Sequence, residues 1–275
     1  MLGASRNSLA QARGRLTTLG ESAGAGDLES LSVDLFAVTE LLVRELPLRR
    51  TLASPSTPEP AKAALLDALL RERVGAPTLA FLVELVGFRW SRTRDLVDAV
   101  ETLAVLASFE QALVDGSLDD VEDQLFRFGR IVEREGGLRD ALSDDAQPVE
   151  RKQELLTGLL GDKVGAVALR VICAAAVGSP RRRSVVEALD SFALLAAELR
   201  ERLNARVTVA VAPDPAQLDR LAQGLSRVYG KPMGLRVEVD PQLLGGLVIR
   251  VGDQVLDASV VRRLDIARRG LTAHL

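Results

Sequence analysis

At 275 residues and 47% hydrophobic content, with only 3% aromatic side chains, the chain has ample aliphatic material for packed helical cores and favours helix-on-helix packing. A formal charge of −3 and a pI near 5.5 disfavour a general polyanion binder, because phosphate contacts need a positive surface. The single cysteine, Cys173, excludes an internal disulfide framework and fits a reducing compartment, no apolar run approaches the ~20 residues of a membrane helix, and arginines interrupt the N-terminus where a secretory signal needs an apolar core.

Ser8 to Leu19 carries leucines at 9, 16 and 19 among polar residues and reads as a short amphipathic helix, broken by Gly20 to Gly26. Asp27 is placed to cap the next helix, whose face is marked by Leu28, Leu31, Leu35, Leu42 and Leu46 until Pro47 stops it. The loop Ser54 to Pro60 starts a helix over Ala61 to Leu70, and a fourth runs from about Pro77 to Phe88. Arg92 to Val114 contains no Gly or Pro and keeps an apolar stripe of Leu96, Val100, Leu103, Leu106 and Leu113. With no linker visible there, the helix that closes one bundle is expected to open the next.

That expectation rests on an internal repeat at an offset of 90 residues. Phe36 aligns with Phe126, Arg44-Glu45 with Arg134-Glu135, and Leu48-Arg49 with Leu138-Arg139. Further along, Leu52 aligns with Leu142, Lys62 with Lys152, Leu65-Leu66 with Leu155-Leu156, and Val74-Gly75-Ala76 with Val164-Gly165-Ala166. So many identities in one order at one offset point to duplication.

The second copy closes with a helix over Arg182 to Leu203, and Arg206 to Ala212 alternates as a first strand ended by Pro213. Leu218, Leu221, Leu225 and Val228 mark a short helix before Gly230. Leu235, Val237 and Val239 then alternate with Arg236, Glu238 and Asp240, and Asp240-Pro241 ends that strand. Gly245-Gly246 precedes a second apolar run, Leu247 to Val251, which Gly252-Asp253 closes as a turn. Gln254 to Ser259 leads to a closing helix with Val260, Val261, Leu264 and Ile266.

The stretch Met233 to Gly252, with Asp240, Leu243, Gly245, Gly246, Ile249, Arg250 and Gly252 as its marks, resembles the C-terminal hallmark of the delta subunit of bacterial F-type ATP synthases, a family that includes the oligomycin-sensitivity-conferring protein. Each helical copy resembles that family's N-terminal six-helix bundle. The family usually has one bundle, and two here resemble the enlarged delta subunits of high-GC Gram-positive bacteria. The expected architecture is mainly α with a small α+β C-terminal domain: a first bundle over 1–95, a second over 96–205 sharing a connecting helix with it, and the small domain over 206–275.

The resemblance implies a non-catalytic peripheral-stalk (stator) subunit, without cofactor or metal, at the cytoplasmic face of the membrane. It implies one copy per complex, one bundle holding the N-terminal helix of an alpha subunit, and the C-terminal domain gripping the C-terminal end of subunit b. Leu103, Leu106, Leu169 and Ile172 are the candidate groove residues, and adjacency to the C-terminal domain favours the second bundle for that role. The glycine pair is structural in this reading.

The residues themselves offer little to catalysis. The only histidine, His274, is one residue from the C-terminus, and Cys173 sits on an apolar helix with no histidine nearby. Asp119-Asp120 and Asp144-Asp145 fit helix capping better than metal binding, and Gly158 to Lys163 lacks the glycine and hydroxyl that a phosphate loop needs. Arg181-Arg182-Arg183 reads as a solvated helix start or a contact for an acidic partner, and Trp90 as a core anchor or a partner-facing residue. Two other readings stay open: a helical RNA-binding module of the antitermination type, which needs a continuous basic patch, and a small-molecule enzyme, which needs a convergent polar pocket.

Overall fold

The computed structural model describes residues 1, 3–144, 146–177, 184–229, 233–243, 245–251 and 254–258, which form twelve helices and four strands. They group into two compact units, Met1–Ala196 and Ala197–Leu275. The fold is mainly α with a small α+β part, as the sequence leads one to expect.

The first unit contains α1 (Gly3–Ser22), α2 (Ala25–Arg44), α3 (Leu46–Ala53), α4 (Glu59–Leu70), α5 (Ala76–Gly87), α6 (Thr93–Val114), α7 (Leu118–Arg134), α8 (Gly136–Ser143), α9 (Val149–Leu160) and α10 (Ala166–Val177). Most of α11 (Val185–Leu203) belongs to it as well. Both ends of α3, α4 and α5 recur 90 positions later in α8, α9 and α10, and α2 and α7 end at Arg44 and Arg134. By the same offset α1 corresponds to α6. Residues 95 and 96, where the boundary between the helical copies is expected, both lie inside α6.

The helix bounds repeat because the residues that bury and cap each helix repeat. Leu28, Leu31, Leu35, Val38 and Leu42 form the buried stripe of α2, and their counterparts Leu118, Val121, Leu125, Phe128 and Val132 form that of α7. Pro58 and Pro148 hold the N-caps of α4 and α9 at φ −58° and −56°, a torsion the pyrrolidine ring fixes. The N–H of Gly75 donates to Asp34 Oδ2 at 2.9 Å, and that of Gly165 donates to Gln124 Oε1 at 2.9 Å. Each bond satisfies the backbone at the same inter-helix corner.

Helix α6 is buried from Asp95 to Leu113 except at Thr102. Ala99, Ala104, Ala107 and Ala112 let neighbouring backbones come close, and Ser32 Oγ meets Ser108 Oγ at 2.6 Å across the α2–α6 contact. Ser5 Oγ donates to the buried carboxylate of Asp95 at 2.8 Å, which offsets the cost of enclosing that charge. Trp90 is buried, its indole N–H donating to Leu85 O at 3.0 Å, so it is a core anchor.

Local details differ from the sequence reading where backbone capping competes with it. Helix α1 continues through Gly20, and Gly24 rather than Asp27 is the N-cap of α2; Asp27 accepts the Gly24 N–H at 3.0 Å from the first turn. Pro47 lies in the first turn of α3, where a missing N–H costs nothing. Asp144 follows α8 and accepts the Ala146 N–H in a turn rather than capping α9, while Asp119 and Asp120 sit in the first turn of α7. Arg181-Arg182-Arg183, Asp145, Gly252-Asp253, the expected closing helix and His274 lie outside the described residues.

The second unit holds β1 (Asn204–Val209), α12 (Pro215–Tyr229), β2 (Gly234–Val239), β3 (Leu247–Val251) and β4 (Gln254–Asp257) in a sheet of order β2-β1-β3-β4. Strand β1 runs parallel to β2 and antiparallel to β3, and β3 and β4 are antiparallel. The parallel pair needs a crossover, which α12 supplies. Ala205, Val207 and Val209 alternate onto one face and pack with Ile249, Met233 and Leu225 of α12. Strand β1 ends at Val209, whose carbonyl accepts the Asp240 N–H at 2.9 Å.

Candidate functional site

Two places in the molecule stand out as candidate sites: the seam where α2 meets α9 and α10, and the turn that carries the glycine pair. At the seam, α2 lies along α6 and reaches the second bundle through polar bridges. Gln153 Nε2 donates to Glu40 Oε1 at 3.1 Å, and Arg44 stands 3.8 Å from Glu150. Arg170 donates to Glu29 Oε1 at 2.8 Å and to Gln111 Oε1 at 2.9 Å. Burial lowers the Arg170 guanidinium below its ordinary value, and Glu29 opposes the change only in part.

Between these bridges is a cleft of about 120 Å³ lined by Phe36, Glu40, Val43, Glu101, Arg170 and Cys173, among others. It is small beside the roughly 300–1,000 Å³ of ordinary small-molecule sites. Burial pushes the Cys173 thiol up to about 11, which leaves almost no thiolate at neutral pH. Among the described residues no three His, Cys, Asp or Glu side chains are grouped as a metal site, and no helix is long and apolar enough to cross a membrane.

In the second unit, the turn after β2 is held by Asp240 through both its side chain and its carbonyl. Asp240 Oδ1 accepts the Gln242 N–H at 2.9 Å, and Asp240 O accepts the Leu243 N–H at 3.1 Å. Gly245 and Gly246 have φ of 143° and 82°, a region that L side chains rarely adopt, so the chain needs glycine to enter β3. Ile249 is buried against Val207, whereas Arg250 is exposed on the opposite face. Gly252 lies outside the described residues.

The four candidate groove residues do not line an open groove. Leu103 and Ile172 are fully buried, Leu106 is 8% exposed and Leu169 is half-buried, because the face of α6 and α10 that they share is packed within the unit. A stripe that faces its own core and a stripe that faces a partner have the same period, and only packing tells them apart. Sequence reasoning missed the polar bridges at the seam, since Glu29 and Arg170 are 141 positions apart and carry no local pattern.

A helical unit built around the buried α6, and a small sheet covered on one face by one helix, define a mainly helical scaffold. The comparisons with known proteins give that scaffold a family. The family model of the ATP synthase delta (OSCP) subunit matches residues 105–271. The "ATP synthase subunit delta" of Streptomyces avermitilis is 44% identical over 271 residues, 98% of either chain, and that of Streptomyces griseus 45% over 269 residues, again 98% of either. The protein of the same name from Acidothermus cellulolyticus is 42% identical over 275 residues, covering 99% of this chain and all of its own. The chain belongs to the ATP synthase delta (OSCP) subunit family.

Proposed function

We propose that this chain is the peripheral-stalk adaptor of an F-type ATP synthase, tying the catalytic head to subunit b at the cytoplasmic face of the membrane, one copy per complex. The observation that carries the reading is its similarity to ATP synthase delta subunits along nearly the whole of both chains. The task is mechanical. A head free to turn with the central shaft would undergo no conformational cycle, so the adaptor must resist torque through packed helices and hold two neighbours at once. Such work calls for stiffness and interfaces rather than reactive side chains, and a chain of this kind is not itself an enzyme.

The bundles over α1–α6 and α6–α11 read as duplicated copies in this account, and the shared α6 supplies stiffness between them. The C-terminal domain from residue 206 grips the end of subunit b. In the second copy, α2 already covers the face between α6 and α10. The equivalent face of the first copy, between α1 and α5, is bridged at its surface by Arg15 and Glu84 at 2.7 Å, and it is where we place the N-terminal helix of an alpha subunit. Co-purification tests the adaptor reading: the tagged full chain is expected to retain alpha and b subunits. Recovery of RNA without either subunit would favour the antitermination-type module instead.

A further inference from the structure

Three arginines stand in one cross-strand row on the sheet. The register sets Arg206 of β1 opposite Arg236 of β2 on one side and opposite Arg250 of β3 on the other. All three are exposed, and strand alternation puts them on the face opposite the Ala205, Val207 and Ile249 core. Adjacent strands are about 4.8 Å apart, so three guanidinium groups share a row roughly 10 Å wide. Like charges directly opposite one another destabilise a sheet. Only Glu238, one row away, approaches the row as an ion pair among the described residues, at 3.6 Å from Arg206.

Folding alone gives no reason to concentrate this charge. Residues 259–275 carry Arg262, Arg263, Arg268 and Arg269 against a single acid, Asp265. The spacing suits one kind of partner. Carboxylates on successive turns of a helix are about 5–6 Å apart, close to the strand spacing, so a helix crossing the strands can set one acid over each arginine. Beside Arg250 the row continues into Val255, which is 52% exposed and offers aliphatic surface to the same helix.

We propose that the Arg236–Arg206–Arg250 row is the docking face for an acidic helical segment of a partner polypeptide. The inference rests on the stator reading, in which that partner is the stalk subunit b. It adds that recognition is electrostatic and runs across the strands.

The test uses the full chain and the purified extramembrane part of subunit b from the same organism, with the dissociation constant measured across a salt series. The triple variant R206Q/R236Q/R250Q is expected to bind at least about tenfold more weakly, with a flatter salt dependence, while R206K/R236K/R250K stays within about threefold of the parent. Because glutamine relieves the like-charge contact, the glutamine variant is expected to melt no lower than the parent. A marked fall in its melting temperature would make the row a structural element and overturn the proposal. Unchanged binding of b by the glutamine variant overturns it too and leaves the stator reading intact, whereas failure of the parent chain to bind b refutes the stator reading itself. Loss of binding to phosphatidylglycerol vesicles with b binding unaffected would assign the row to a membrane surface, against the proposal.

Discussion

Lys62 and Lys152 occupy the same place in successive bundles: each backbone N–H bonds the carbonyl of the proline that opens its helix, at 3.1 Å to Pro58 and 3.3 Å to Pro148, and each residue is buried. Lys62 Nζ donates to Val86 O at 3.0 Å, satisfying a carbonyl in the last turn of α5. Burial lowers its ammonium below the ordinary 10.5, and nearby Glu59 opposes the change only in part. The unfolded chain therefore holds more protons between the two values, so the Lys62 contribution to stability rises with pH in that window and is least favourable below it. Denaturation of the parent and of Lys62→Met should show the parent gaining relative stability as pH climbs toward 10.5. Parallel pH profiles would contradict this account of the lysine.

Phe36 and Phe126 are equivalent by the repeat but not by environment. Phe36 packs against the first core and lines the seam, whereas Phe126 is 68% exposed on α7. Phe36→Ala is expected to cost about 1–3 kcal/mol, and Phe126→Ala less than about 0.5 kcal/mol. Urea unfolding followed by fluorescence of Trp90, the sole tryptophan, measures both. Equal losses would mean that Phe126 is covered in the folded chain.

What could be read in advance followed from local and periodic signals. The aligned Leu52 and Leu142, and Val74-Gly75-Ala76 with its counterpart, place helices and corners in both copies, since leucine spacing and glycine corners are properties of neighbouring residues. The unbroken run from Arg92 to Val114 marks the shared helix for the same reason. Side-chain destinations were less legible. Leu103 and Ile172 look like a groove because α6 is apolar on more than one face, and the sequence does not say that α2 covers it. The arginine row is invisible until register brings 206, 236 and 250 together, for each lies in a different strand.

The glycine pair before β3 offers a local test. At φ 82°, Gly246→Ala should destabilise the second unit by about 1–2 kcal/mol through backbone strain. Tyr229, the sole tyrosine, reports on that unit and Trp90 on the first, so the tyrosine transition should move to lower denaturant while the tryptophan transition stays in place. An unchanged tyrosine transition would show that the turn tolerates a side chain.

Cys173 should behave as an inert thiol. With its value raised from 9.0 to about 11, the thiolate fraction at pH 8 is about 100-fold below that of an unperturbed group. Labelling by iodoacetamide should be slower by about that factor in the folded chain and should recover in denaturant. Rapid labelling of the folded protein would mean that the seam admits solvent freely.

The central claim is that the chain couples the head to the stalk by holding them together. Its most direct test is ATP-driven proton pumping in inverted membrane vesicles stripped of this subunit and then reconstituted with it. The account predicts that the head continues to hydrolyse ATP without it, that pumping is lost, and that the purified full chain restores pumping at about one copy per complex. Undiminished pumping from vesicles that wholly lack the chain would contradict it.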